Sequence, residues 1–190
     1  MKKSAIVVAA LATGCLFGGK APPLELRYFS ADTAAVAPSP RPAVAHAKLR
    51  LGAITASAHL RYRIVHRSSP VERELFDTLR WTETPDAYVR RSLTRALFDN
   101  QPLDQATAAA PTLDVEVLAF DDVERAGLHF GRVELAYQLA GETEVIAGGV
   151  VAEERPAAGA AIEQVVLAIT AAMEAATETV AERVTAKLCP

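Results

Sequence analysis

The sequence predicts an α+β fold in a single domain: a mostly antiparallel sheet with a central helix and a long C-terminal helix packed on it. Three observations predict this class. Several short segments alternate apolar and polar residues with period two, which is the signature of half-buried strands. One mid-chain segment, 85 to 98, and one C-terminal segment, about 160 to 188, switch to helical period. Nothing repeats at a fixed interval, so neither a solenoid nor a propeller is indicated.

The chain starts Met1-Lys2-Lys3, then runs apolar from Ala5 to Ala12 and reaches Thr13-Gly14-Cys15. A positive end, a short apolar stretch and small residues before a cleavage point form a secretory signal. The apolar stretch is shorter than the ~20 residues a membrane-spanning helix needs. LATGC, residues 11 to 15, resembles the bacterial lipobox, with Ala12 in place of the commoner leucine. That resemblance implies a diacylglyceryl group on the Cys15 thiol, removal of residues 1–14, and an N-acyl chain of the palmitate kind on the new terminus. Each methylene buried in a bilayer contributes about 0.8 kcal/mol, and two or more chains hold stably where one does not. Leu16, rather than aspartate, follows the cysteine, which favours the outer membrane over retention at the inner one.

Residues 15–23 hold glycines and prolines without periodicity and serve as a tether, leaving 24–190 for the domain. Leu24, Leu26 and Tyr28 alternate with Glu25 and Arg27 as a first strand, and 36–44 carries three prolines that impose an extended loop. KLRLGAI, 48 to 54, alternates again. Tyr62 to Arg67 and Glu72 to Trp81 make two strands joined through Ser68-Ser69-Pro70, a hairpin turn with proline presetting the dihedral. Thr84-Pro85-Asp86 opens a helix with a hydroxyl cap, a proline at its first position and an acid in its first turn. Val89, Leu93, Ala96 and Leu97 then mark its apolar face, up to a stop at residues 99 to 102.

Leu113, Val115 and Val117 face one way along the next strand, with Asp114 and Glu116 facing the other. Val133, Leu135, Tyr137 and Leu139 repeat the pattern, and Gly141-Glu142 turns the chain into an antiparallel partner running to Ala152. Gly131, Gly148 and Gly149 mark bulges or close backbone approach. In the final helix Ile162, Val166, Ile169, Met173, Val180 and Val184 form a stripe that packs on the sheet.

Chemistry is sparse. His46, His59, His66 and His129 lack the close spacing of a metal pair and are expected as solvated or loop residues, so no metal and no dissociable cofactor are predicted. No nucleophile elbow, phosphate-binding loop or dinucleotide fingerprint is present, and no catalytic residue is assigned. Asp121-Asp122 and Glu153-Glu154 fall at expected strand ends, where acids face water. Arg61, Arg63, Arg67 and Arg73 form a basic strand face, expected to pair with Glu72 and Glu74 across the hairpin. Trp81 is expected as a core anchor, and Cys189 as an exposed, incidental thiol next to the terminus. With 20 Lys and Arg against 23 Asp and Glu, and two of the lysines lost with the signal, the chain lacks the basic face of a nucleic-acid binder.

LELRYF soon after the cysteine, RIVHR, and RWTETP leading into a helix that ends ALF together resemble the ABC-type transport auxiliary lipoprotein family. Tyr28, Arg67, Arg80, Trp81 and Pro85 carry most of the resemblance, as partner-binding or structural positions. It implies a non-enzymatic, membrane-anchored periplasmic lipoprotein that assists lipid trafficking built around MCE-domain proteins. The implied partners are an MCE-domain protein and an ABC permease and ATPase complex, with a homo-oligomer left open. The alternative is a stand-alone envelope lipoprotein that scaffolds or activates cell-wall or secretion machinery.

Overall fold

The computed structural model describes residues 23–32 and 47–189, so Cys15, His46 and the proline-rich segment lie outside the described residues. The elements in chain order are β1 (Arg27–Phe29), β2 (Ala47–Ala56), β3 (Arg63–Arg67), β4 (Glu74–Trp81), α1 (Pro85–Phe98), β5 (Leu103–Gln105), β6 (Thr112–Arg125), β7 (Leu128–Ala140), β8 (Val145–Pro156) and α2 (Ile162–Leu188).

The eight strands form one sheet whose organising member is β6. β7 covers one edge of β6 from Thr112 to Arg125, and β8 continues beyond it. The other edge of β6 is shared end to end: β2 pairs with Arg50 opposite Thr112 through Ala56 opposite Val117, and β3 pairs from Val65 opposite Asp121 to Arg67 opposite Val123. β5 extends the first arm, while β4 and then β1 extend the second.

The sheet is mixed, which corrects the expected mostly antiparallel arrangement. Four of the seven strand pairings, β1 with β4, β2 with β5, β2 with β6 and β3 with β6, are parallel. The two predicted hairpins, β3–β4 and β7–β8, are antiparallel, and so is the β6–β7 pairing. Adjacent alternating segments announce hairpins, but pairings between strands some 60 residues apart leave no local mark.

Both helices lie on one face. Ser92 Oγ of α1 and Thr177 Oγ1 of α2 share a buried hydrogen bond of 2.7 Å where the helices meet. Val166, Ile169, Met173, Val180 and Val184 of α2 are buried as the stripe requires, as are Val89, Leu93, Ala96 and Leu97 of α1. Gly131 explains how closely α2 approaches: a Cβ there would stand 2.1 Å from the backbone nitrogen of Ile169. Trp81 is fully buried and meets Phe120 edge-on at 5.2 Å and Tyr88 at 6.0 Å, an aromatic joint between sheet and α1.

Some local expectations need correcting. Thr84 occupies the N-cap of α1, but its side chain makes no capping hydrogen bond; its carbonyl accepts the Ala87 N–H instead. Leu24, Leu26 and Tyr28 point to solvent, and the residues that contact the core from this segment are Phe29 and Ala31. Cys189 caps α2 and packs partly against the core, so it is half-buried rather than exposed.

Candidate functional site

The most concentrated polar chemistry lies where β3, β6 and β7 run side by side, and a bulge creates it. Between Val117 and Ala119 the β6–β7 register slips, so two residues of β6 oppose one of β7. Up to Val117 the odd-numbered residues of β6 face the helices. Beyond the slip Phe120 pairs with Val133 and Asp122 with Gly131, so the even-numbered residues face them. The two acids of Asp121-Asp122 therefore enter opposite faces of the sheet. Asp121 is 0% exposed and Asp122 1%, in the interior of β6 rather than at a strand end, which overturns their expected solvation.

On the helix face the Asp122 carboxylate lies between two imidazoles. His66 Nδ1 is 2.8 Å from Oδ2, and His129 Nδ1 is 2.9 Å from Oδ1 and 3.1 Å from Oδ2. Backbone pairing fixes all three positions, since His66 stands opposite Asp122 in β3 and His129 opposite Glu124 in β7. Glu124 Oε2 comes within 3.6 Å of His66 Nε2, and Phe76 tilts against the same ring at 5.5 Å. His66 and His129, expected as unrelated solvated residues, thus converge from 63 positions apart in the chain; complementary charge on neighbouring strands is the one available signal.

On the opposite face Arg67 Nη2 donates to Asp121 Oδ2 at 3.1 Å, a pair hidden from solvent on both sides. Arg67 therefore does not pair with the hairpin glutamates, and Arg63 lies nearest Asp77, at 3.6 Å. Beside it Arg125 grips Glu154 through two hydrogen bonds of 2.8 Å each, which holds the Glu154 carboxyl below its ordinary range. A groove of about 410 Å³ opens here, lined by Arg67, the Ser68–Pro70 turn, Val123 to Ala126, and Arg132. Near the pair, His59 is pushed below its usual value by burial first and by the positive charge of Arg73 second.

The remaining singled-out residues gather elsewhere, at the corner of β1, β4 and α1. Tyr28 stands opposite Arg80 and Phe29 opposite Trp81 in parallel register. The Arg80 guanidinium donates to the carbonyls of Phe76, Leu79 and Asp77, clamping β4. Pro85 occupies the first turn of α1 just beyond Trp81. Tyr88 binds this corner with its hydroxyl, 2.7 Å from Thr82 Oγ1 and 3.4 Å from the Phe29 carbonyl. Tyr28 alone among the five is strongly exposed; Arg80, Trp81 and Pro85 hold structure, and Arg67 belongs to the carboxylate site.

A family model described as the ABC-type transport auxiliary lipoprotein component matches residues 29–181, which takes in α1, most of α2, every strand from β2 onward, and the whole carboxylate site. The chain belongs to this family. Auxiliary lipoproteins of ABC-type transport are thus its class. Among solved structures it resembles protein XCC0632 from Xanthomonas campestris, at 20% identity and a TM-score of 0.73 over 85% of this chain and 96% of that one. An uncharacterised protein follows at 13% identity and a TM-score of 0.66, over 84% and 99% of the two chains. The hypothetical protein CT253 from Chlamydia trachomatis is similar at 8% identity and a TM-score of 0.54, over 76% and 99%. At these identities the likeness concerns the fold of the auxiliary lipoprotein domain. No curated protein matches the chain.

Proposed function

We propose that this auxiliary lipoprotein serves an ABC-type system linked to MCE-domain proteins and moving lipid or another hydrophobic compound. In this reading it acts without catalysis, from the periplasmic face of the outer membrane. Diacylglyceryl and N-acyl lipid on Cys15 hold it there, and energy comes from an ATPase on another chain. The observation that carries the reading is the family match over residues 29–181. The LATGC signal supports anchoring, and Leu16 after the cysteine supports the outer membrane.

Crosslinking in intact cells, followed by purification of the lipoprotein and identification of what comes with it, tests the partners. Recovery of an MCE-domain protein and a permease is the expected result. Recovery of neither, under conditions that keep membrane complexes intact, overturns the reading. Mass spectrometry of the same material tests acylation of Cys15.

A further inference from the structure

We propose that His66, Asp122 and His129 form a binding site for a divalent transition-metal ion of the zinc type. One ligand atom from each residue lies within 4.8 Å of the other two. Zinc binds imidazole nitrogen and carboxylate oxygen at about 2.0–2.2 Å, which sets neighbouring tetrahedral ligands roughly 3.4 Å apart. The imidazole and carboxylate atoms stand 2.8 to 3.1 Å apart, so an ion would enter after they separate by a few tenths of an ångström.

The scaffold suits such a site. The three ligands come from three adjacent strands, β3, β6 and β7, in fixed register, and strands position ligands more tightly than loops do. Asp122 is buried while the two imidazoles keep 12% and 15% of their surface exposed, which leaves an approach for the ion over their edges. Imidazole with carboxylate is a donor set that suits zinc and its neighbours better than calcium or magnesium, which prefer all-oxygen shells.

The protons also have somewhere to go. A neutral imidazole that donates from Nδ1 must give up that proton to bind metal there, and can carry one on Nε2 instead. For His66 the Nε2 atom already faces the Glu124 carboxylate at 3.6 Å, and a small rotation makes Glu124 the outer carboxylate that orients a metal-bound histidine. With three protein ligands, a fourth position stays available to water or to a group from a partner.

The test uses full-length, untagged protein in detergent, stripped with chelator and titrated with Zn²⁺ in a calorimeter, with Co²⁺ absorption as a measure of coordination geometry. One equivalent should bind, and His66→Gln and His129→Gln should each weaken binding at least ~10-fold. His59→Gln and Cys189→Ser should leave it unchanged. Absence of stoichiometric binding, or binding that survives both cluster substitutions, overturns the site. If a cluster variant fails to fold, paramagnetic shifts from Co²⁺ on the unsubstituted protein decide: they must fall on His66 and His129, and shifts elsewhere refute the proposal. Either result leaves the transport reading untouched, because that reading makes no use of a metal.

Discussion

Asp121 and Asp122 are neighbours in the chain and face opposite sides of the sheet. Each is buried, and each has its own compensating groups, a guanidinium for one and two imidazoles for the other. Removing one partner of a buried ion pair leaves an uncompensated charge, which typically costs about 3–5 kcal/mol. Arg67→Met should therefore lower stability to urea by about that amount, and Arg67→Met combined with Asp121→Leu should recover most of it. A single substitution that costs less than about 1 kcal/mol would show that Asp121 reaches water or another partner. His59 gives a second prediction. Its folded-state value lies below the usual ~6.5, so the unfolded chain takes up the proton first as acid is added. Stability from this residue is complete above about pH 6.5 and falls as pH drops toward the folded value. Urea midpoints measured from about pH 7.5 to 5 should decline less steeply for His59→Gln than for the unsubstituted protein. The acid pair also shows where local pattern fails as a guide. Leu113 to Val117 declare their strand, but the bulge breaks the alternation at Leu118, so the pattern stops while the strand continues to Arg125.

Among the elements, those with strong periodicity are legible in the sequence. Both helices, the β3–β4 hairpin and the β7–β8 hairpin follow from residue spacing and turn signals, and β6 follows as a strand, but its turn into β7, made by Ala126 and Gly127 with positive φ, does not. β5 is not legible: three residues are too few to alternate, and Leu103–Gln105 becomes a strand only because β2 offers an edge to it. β1 is legible as a strand but not in its facing, because its exposed Leu24 and Leu26 imitate a core-facing pattern. Gly131 reads from the sequence as a bulge or a point of close approach, and the α2 backbone is what approaches. Gly131→Ala must push β7 and α2 apart, since the atoms in the way belong to backbone rather than to a flexible side chain. Overpacking of this kind costs typically about 1–3 kcal/mol, occasionally more, and a loss at or above the upper end is expected from urea unfolding. A fully stable Gly131→Ala protein would mean that the α2 contact is looser than described.

At the scale of the whole molecule, both helices lie on one face of the sheet, and the arginine-lined groove opens on the other beside the buried Arg67–Asp121 pair. The proposed anchoring predicts that Cys15→Ser releases a folded domain from membranes. Fractionation should move it to the soluble pool with its thermal unfolding unchanged, and persistence in the membrane fraction would rule against lipid on that residue. None of the described helices is long and apolar enough to cross a membrane.

Any pull transmitted from the N-terminal side enters the fold through β1, and that makes β1 a mechanical fuse. Its three residues pair with β4 alone; Phe29 and the neighbouring Ala31 pack on the core and the Phe29 carbonyl accepts from Thr82 and Tyr88, while the ion pairs Arg27 to Glu163 and Arg91 to Asp32 lie on the surface. Surface pairs are weak and screened by salt, whereas β6 sits between neighbours on both edges. Stretching the protein from its N-terminus should thus produce a small yield at low force before the main rupture, with the yield force falling as salt rises. The load would be shed by the edge strand while the residues around Asp122 stay in place.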